Sequence, residues 1–447
     1  IIGNPPYVRK ESISDPNGRL SPAAYKEALL EMVRLDFPDY FTKSRAQTDQ
    51  FKKGYQPSGH SDLYTYFYIR SLRLLNPQGM HVFICSNSWL DVGYGAWLQA
   101  FFLRQAPLHL VIDNHAKRSF ARADVNTIIS VASAPRRVPG DHVVRFAAFK
   151  QPFEDAVLSE NLLAIEGATA ILKTDAFRVF PITAAELLAE GSDDGQYVGD
   201  KWGGKYLRAP DFYLRVISEA KFNYLRDTAQ VLGYVHDNNV SSRYALVYFI
   251  KSVKDVRKIT ITPGDTIMQG VNPQGNSRVK ADMLFPRTFD NVHLVLWNKN
   301  RAAIGKEFYR IIAENRNPRI LALILNSTFS ILQRELIGLH NLGGGAIKFS
   351  SSDVGLFILP DLPEYLLDSS TLDSFLNREI NDVFKECGID PQSGIPISEQ
   401  EPNPLPDRKV LDDIVFDALG LTGEERKEVY RAVCQLVWER ISKARSV

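Results

Sequence analysis

Between residues 62 and 149 the chain alternates helical and extended apolar patterns, and this alternation limits its fold more than any other feature. Asp62 to Leu75 has a broad apolar face (Leu63, Tyr66, Phe67, Leu74) and is stopped by Asn76-Pro77-Gln78-Gly79. Met80 to Cys85 follows as a short apolar run, the pattern of a buried strand. Trp97 to Leu103 reads as helix, and Leu108 to Ile112, Val125 to Ala132 and Val143 to Phe149 read as strands. Such alternation specifies an α/β domain whose last strands, consecutive in sequence, are candidates for hairpin pairing. Sites in such sheets lie beyond the carboxyl ends of strands, so the loops after Ile2, Cys85 and Ile112 are the candidate site loops.

At 447 residues the chain is expected to hold two or three domains. Its 53 Lys plus Arg nearly balance 52 Asp plus Glu, but the charge is unevenly spread: net +7 over 1–150, −8 over 151–200, +11 over 201–350 and −9 over 351–447. A block carrying +11 can attract phosphates, because its field acts within a Debye length of roughly 10 Å and distant acids are screened. The expected division is 1–155, an acidic linker over 156–200, a mixed domain over 201–365 and a helical tail over 366–447. Pro318 to Leu336 reads as one helix, with strands expected at Leu246 to Ile250, Ile259 to Ile261 and His293 to Trp297. The last helix should start at Thr422, with Glu425 closing a capping box and Val429, Val433, Leu436, Val437 and Ile441 along one face.

Apolar content of 45% and charged content of 23% exclude global disorder. Cys85, Cys387 and Cys434 are too scattered for a disulfide framework or a thiolate metal site, and a cytoplasmic location is the default. No apolar run approaches the roughly 20 residues that span a bilayer, so no membrane partner is expected. The eight histidines, among them His60, His81, His109 and His115, lack paired ligand spacing, and no metal is expected.

The most informative residues are the first seven, Ile1-Ile2-Gly3-Asn4-Pro5-Pro6-Tyr7. A strand end followed by Asn-Pro-Pro-Tyr resembles the catalytic motif of adenine-specific amino-group DNA methyltransferases. The lone pair of adenine's exocyclic nitrogen is delocalised into the ring, which makes it a poor nucleophile. The Asn4 amide oxygen and the Pro5 carbonyl can accept both amino protons and stabilise the charge that develops as the nitrogen attacks a methyl sulfonium. Pro5 and Pro6 restrict the backbone, and Tyr7 offers a face on which an extruded base stacks. Further segments resemble the same family: Ser58 to Tyr64, Phe83 to Leu90, and Ser119 to Ile129. By that match Phe120 would pair with Tyr7 around the target base; a plain core aromatic is the other reading.

The resemblance implies a partial Rossmann-like methyltransferase core over 1–155, then a mixed α/β DNA target-recognition domain and a helical C-terminal region. Lys201 to Tyr213 and Leu336 to Phe349 are similar to the recognition domains of TaqI-like and type IIG restriction-modification enzymes. Arg243, Lys251, Lys254, Arg257, Lys258, Arg278 and Lys280 are the candidate phosphate contacts to double-stranded DNA. Asn238, Asn239 and Gln274 are candidate base-edge readers, and Asn341 to Gly345 a tight turn or a close approach to phosphate. The implied cofactor is S-adenosylmethionine. The family's Phe-x-Gly-x-Gly loop and ribose-binding acid would precede Ile1, so most of the cofactor pocket, and a nuclease domain of the same full-length chain, are expected upstream. Asp407 with Glu425-Arg426-Lys427 formally matches a metal-dependent nuclease pattern, but the latter three fall in a helix rather than the required strand. A DNA-specificity module without catalysis, or transfer to RNA or protein, are the rival readings.

Overall fold

The computed structural model describes residues 1–41, 57–120, 125–234, 246–250, 252, 256–270, 281–340, 345–362, 365 and 369–445. The chain divides into two compact units, 1–208 and 209–445.

The first unit is built on one mixed seven-stranded sheet in the order β1-β2-β4-β3-β5-β7-β6. The strands are β1 Ile2–Gly3, β2 Met80–Ser86, β3 Leu108–Asn114, β4 Thr127–Ser133, β5 Val143–Phe149, β6 Leu172–Lys173 and β7 Phe177–Thr183. β1 runs parallel to β2, with Gly3 opposite Phe83, and β3 runs parallel to β5. β4 lies antiparallel between β2 and β3; its pairing with β3 is a hairpin of the kind expected from sequence, whereas β5 pairs with β3 and β7 and not with β4. Side-chain alternation sends Val144, Phe146 and Ala148 of β5 into one apolar cluster and Ala147 and Phe149 into a second, so β5 is buried on both faces. Helices α1 Pro22–Asp36, α2 Leu63–Arg73 and α3 Ala96–Arg104 supply the first face, where Tyr68, Ile69, Leu72, Leu98 and Phe101 are buried. The Ser21 hydroxyl caps α1, and Pro22 at its first position loses no helical hydrogen bond.

Residues 156–200 are not a linker. They carry β6 and β7, and β7 pairs with β5 through seven registered residues, from Val143 opposite Thr183 to Phe149 opposite Phe177. Their apolar positions Ile165, Phe177 and Val179 are fully buried, and acidic side chains between such positions give the linker-like composition. Residues 201–208 also belong to this unit, with Trp202, Tyr206 and Leu207 in its core, so the boundary expected at 201 lies at 208.

The second unit has one continuous core running from Ala209 to Val437, so residues 369–445 are part of the same packed body rather than a separate tail. A four-stranded sheet joins Ala229–Leu232, Phe308–Ala313, Met283–Pro286 and Leu296–Trp297, and a three-stranded one joins Ile267–Gly270, Leu246–Ile250 and Ala303–Ile304. Ile259 to Ile261 forms only an isolated bridge to Trp297. The helix expected over 318–336 is two, Pro318–Leu325 and Thr328–Ile337, bent by 67°. The break has a chemical cause. The Asn326 side chain accepts from Val295 N and donates to Val295 O and Ala322 O, the Ser327 hydroxyl caps the second helix, and Asp412 accepts from Thr328 N at 2.7 Å. The last helix, Gly423–Arg445, begins as expected, with reciprocal Thr422 and Glu425 bonds. Among the described residues no single helix is long and apolar enough to cross a membrane.

Thr328–Ile337 is buried on all sides, so its polar side chains must be paired internally. Gln333 bonds the backbone of Ile358 in both directions. Glu335 is held by Arg440 through two bonds of 2.8 and 3.0 Å and lies 3.2 Å from the His293 ring. Burial pushes the His293 pKa down to about 4, outweighing the attraction of Glu335 for a proton. An unfolded histidine titrates near 6.5, so this group stabilises the fold above pH 6.5 and its contribution is lost as pH falls toward 4. Urea midpoints measured from pH 7 to 4 should fall more steeply for the wild type than for His293→Gln; parallel profiles would contradict this.

Candidate functional site

Strand directions alone gather the expected site loops at one sheet edge. β1, β2, β3 and β5 all end there, and the antiparallel β4 begins there, with Ser86 opposite Thr127 and Asp113 opposite Ile128. The segment Asn4 to Tyr7 leaves β1 at this edge, and Phe120 lies on the approach to β4.

Gly3 is required for the entry. A Cβ there would fall 2.6 Å from a ring carbon of Phe83, which is itself buried in β2. The chain then turns through a buried Pro5 and an exposed Pro6. Asn4 is exposed, and neither its side chain nor the Pro5 carbonyl has a hydrogen-bond partner among the described residues. The Tyr7 hydroxyl donates to the Ile84 carbonyl at 3.1 Å, which fixes the direction of the ring. Burial, and next the nearby Cys85 thiol, raise the Tyr7 phenol above its usual range, so it stays neutral and keeps that bond.

Tyr7 and Phe120, which sequence pairs only through the family resemblance, have ring centroids 6.2 Å apart with planes inclined by 52°. Both are half-buried. The chain beyond Tyr7 is tied to the start of α2: Leu63 N donates to Val8 O and Lys10 N to Asp62 Oδ1, both at 3.0 Å. Asp62 also accepts from Tyr94, whose hydroxyl lies 3.1 Å from that of Tyr64. These partners lie more than fifty residues from Tyr7, and no local pattern marks Tyr94 as one of them.

The turn after β2, Asn87–Leu90, is wholly buried. Asn87 N donates to Asn126 O, while the Asn87 side-chain oxygen is buried with no partner among the described residues. Two further residues that sequence reasoning missed hold this turn. Gln99 donates to the carbonyls of Trp89 and Leu90, at 3.1 and 3.2 Å, and Asp91 is paired with Arg208.

In the second unit the basic candidates divide. Arg243, Lys251, Lys254, Arg278 and Lys280 lie outside the described residues, as do Asn238, Asn239, Gln274 and Asn341 to Gly344. Arg257 is exposed, and its backbone carbonyl is bonded by Ile380 N. Lys258 is held by Asp265 at 3.2 Å and Thr262 at 3.1 Å, which leaves it less available to a phosphate. The nuclease-like set is dispersed into ion pairs: Asp407 with Arg378, and Glu425 with Arg215. No cluster of three or more metal-ligating side chains occurs among the described residues.

The net charges of the folded units differ from those of the sequence blocks. Residues 1–208 sum to +2 and 209–445 to −1, because each acidic block folds into the same unit as the basic block before it.

Residues 1–120 match the model of the Eco57I restriction-modification methylase family. Among solved structures, the chain is similar to the type IIG restriction endonuclease BpuSI, with a TM-score of 0.42 and 13% identity over 99% of this chain and 54% of that one. It is similar to DrdV, solved with DNA, with a TM-score of 0.33 and 10% identity over 100% of this chain and 56% of that one. A protein from Vibrio vulnificus YJ016, described as the modification subunit of a type I restriction enzyme, gives a TM-score of 0.27 and 14% identity, covering 36% of this chain and 34% of its own. The chain therefore spans about half the length of the BpuSI and DrdV chains it is similar to. No curated protein sequence matches it.

Proposed function

We propose that the chain carries the acceptor site of a DNA adenine-N6 methyltransferase of a restriction-modification system, working with S-adenosylmethionine on double-stranded DNA. One observation carries the reading: the Asn4 amide and the Pro5 carbonyl, without partners among the described residues, adjoin Tyr7, whose ring lies 6.2 Å from that of Phe120 and tilted to it by 52°, at the edge where four strands end. The match of residues 1–120 to a restriction-modification methylase family supports it.

The chemistry follows from what the groups can do. An adenine extruded from duplex DNA would stack between Tyr7 and Phe120, offsetting part of the few kcal/mol of unstacking. A base between parallel rings needs two stacking distances of ~3.4 Å each. The present 6.2 Å at 52° therefore requires the rings to part by less than an ångström and to turn toward parallel. Asn4 Oδ1 and the Pro5 carbonyl would then accept the two amino protons and hold the nitrogen lone pair free of the ring. Fixed acceptors cost no reorganisation as positive charge develops on that nitrogen. The methyl group is what S-adenosylmethionine supplies. The described residues contain no glycine-rich strand-to-helix turn to cradle it, so no residue of this chain is assigned to the adenosyl moiety and no step is derived through it.

Two experiments test the reading. Full-length protein incubated with tritiated S-adenosylmethionine and unmethylated phage DNA should label the DNA, and digestion should yield N6-methyladenine. Label in cytosine or none in DNA would end the proposal. Duplex binding should weaken by about 10³ or more between 50 and 200 mM salt if six or more phosphates are contacted. A flat salt response would remove the basic candidates from the interface. The second reading, a DNA-specificity module of a larger type IIG enzyme, is separated by Asn4→Ala, which such a module would not feel.

A further inference from the structure

The turn that follows β2 is held by a clasp from the far end of the same unit. Asp91, the residue after the turn, is buried, and its carboxylate accepts from Gly204 N at 3.1 Å and from Arg208 Nη2 at 3.0 Å. The Asp91 carbonyl accepts from the Lys201 ammonium. Gly203–Arg208 forms a π-helical turn, a rare form that concentrates at functional positions because it re-aims side chains within a helix. A Cβ at 203 would lie 2.5 Å from Asp91 Oδ2 and 3.0 Å from Arg208 Nη1, so any residue but glycine there would displace one of the paired side chains. Trp202 meets Trp89 edge to face at 5.9 Å. Gln99 completes the arrangement: it donates to Trp89 O, Leu90 O and Asp200 O, and accepts from Tyr197 and Asp200 N.

This is more fixation than a loop at a sheet edge needs. A solvent-facing connection could satisfy its backbone with water, whereas here a desolvated ion pair and a buried amide are committed to five residues. A buried pair brings little net stability over an apolar alternative, so what it supplies is a defined position. What it positions is the Asn87 amide, whose buried oxygen has no partner among the described residues, and the strand end whose Ile84 carbonyl orients Tyr7.

We propose that Asp91, Arg208 and Gln99 are positioning residues for the acceptor site, holding the Asn87–Leu90 turn in register with Tyr7 so that an extruded base meets a preformed surface. This rests on the functional reading above. Arg208 is also the last residue of the first unit, so the chain passes into the second unit directly from the clasp.

The test uses the full-length protein and two readouts on Asp91→Asn, Arg208→Gln and the milder Lys201→Met. Hydrogen exchange by mass spectrometry reads the clasp without reference to activity. Amides of residues 87–92 should exchange at least tenfold faster in the variants, with protection of β3 and β5 unchanged. Single-turnover methyl transfer on saturating phage DNA should fall at least tenfold while the Kd for DNA stays within twofold. The Asp91→Asn, Arg208→Gln double variant should be no slower than the worse single one. Unchanged exchange at 87–92 overturns the proposal, as does transfer at the wild-type rate, or transfer that falls only in step with DNA binding and melting temperature. Variants that exchange as described beside a wild-type protein that transfers no methyl group overturn the functional reading instead, and with it the role given to the clasp. Should Arg208→Gln fail to fold, Lys201→Met decides the matter, since it removes one bond to the Asp91 carbonyl and leaves the ion pair in place.

Discussion

Replacing Asn4 with alanine should reduce methyl transfer by a factor on the order of 10² to 10³, the usual cost of deleting one preorganised polar group that acts on transition-state charge. Binding of duplex DNA should stay within about twofold, because Asn4 is exposed and supports no described element of the fold. The loss should fall on kcat rather than KM, since the acceptor matters most when the amino nitrogen turns tetrahedral. Asn4→Asp keeps an acceptor oxygen in the same place and should retain part of the rate. Tritium transfer under single-turnover conditions, paired with a DNA-binding isotherm, separates these outcomes. Equal transfer by Asn4→Ala and wild type would show that the open amide is not part of the reaction, and would leave the specificity-module reading.

The second large effect concerns stability. Arg440→Met should cost about 3–5 kcal/mol, because it leaves Glu335 charged, fully buried and without its main partner. The Arg440 guanidinium is also bound to the carbonyls of Asp290 and Gly345, so the same change orphans two backbone acceptors. The double variant Glu335→Gln, Arg440→Met should recover much of the loss, since no unpaired charge remains. Burial opposes ionisation of Glu335, but Arg440 foremost, then His293, holds its pKa well below the carboxylate range. Its stabilising contribution is thus complete above about pH 4.3 and persists far into acid. Urea unfolding monitored by tryptophan fluorescence measures both variants; a single-variant cost below about 1 kcal/mol would mean that water reaches this pair.

Much of the fold was legible because it rests on local patterns. The strands at Met80, Leu108 and Val143 and the helix at Trp97 announce themselves by apolar runs and stop signals. The Thr422 to Glu425 box fixes its helix by a bond three residues long. Misreadings came where distant groups decide. Pro318 to Ile337 is apolar enough for one helix, but Asn326 finds Val295 and Thr328 finds Asp412, so two helices form. The 156–200 segment has a linker's charge, yet β7 finds β5 and joins the sheet. Of the candidate site, Asn4 to Tyr7 and Phe120 were named from sequence, whereas Gln99 and Asp91 were not. Gln99 is one polar residue in an apolar helix, and its role depends on Asp200, about a hundred residues away.

By itself the sequence determines that a strand end runs into Asn4-Pro5-Pro6-Tyr7, that alternating apolar segments build an α/β sheet, and that an amide and an aromatic ring stand at its first turn. These are properties of neighbouring residues, set by torsional preference and periodicity. Only the tertiary structure decides that Phe120 comes within 6.2 Å of Tyr7, and that Arg208 closes on Asp91. It also decides that residues 209–350, at +8, and 351–445, at −9, fold together into a nearly neutral unit. Those outcomes depend on strand order and on burial, which pair groups up to a hundred or more residues apart. No local preference encodes a partner at that distance.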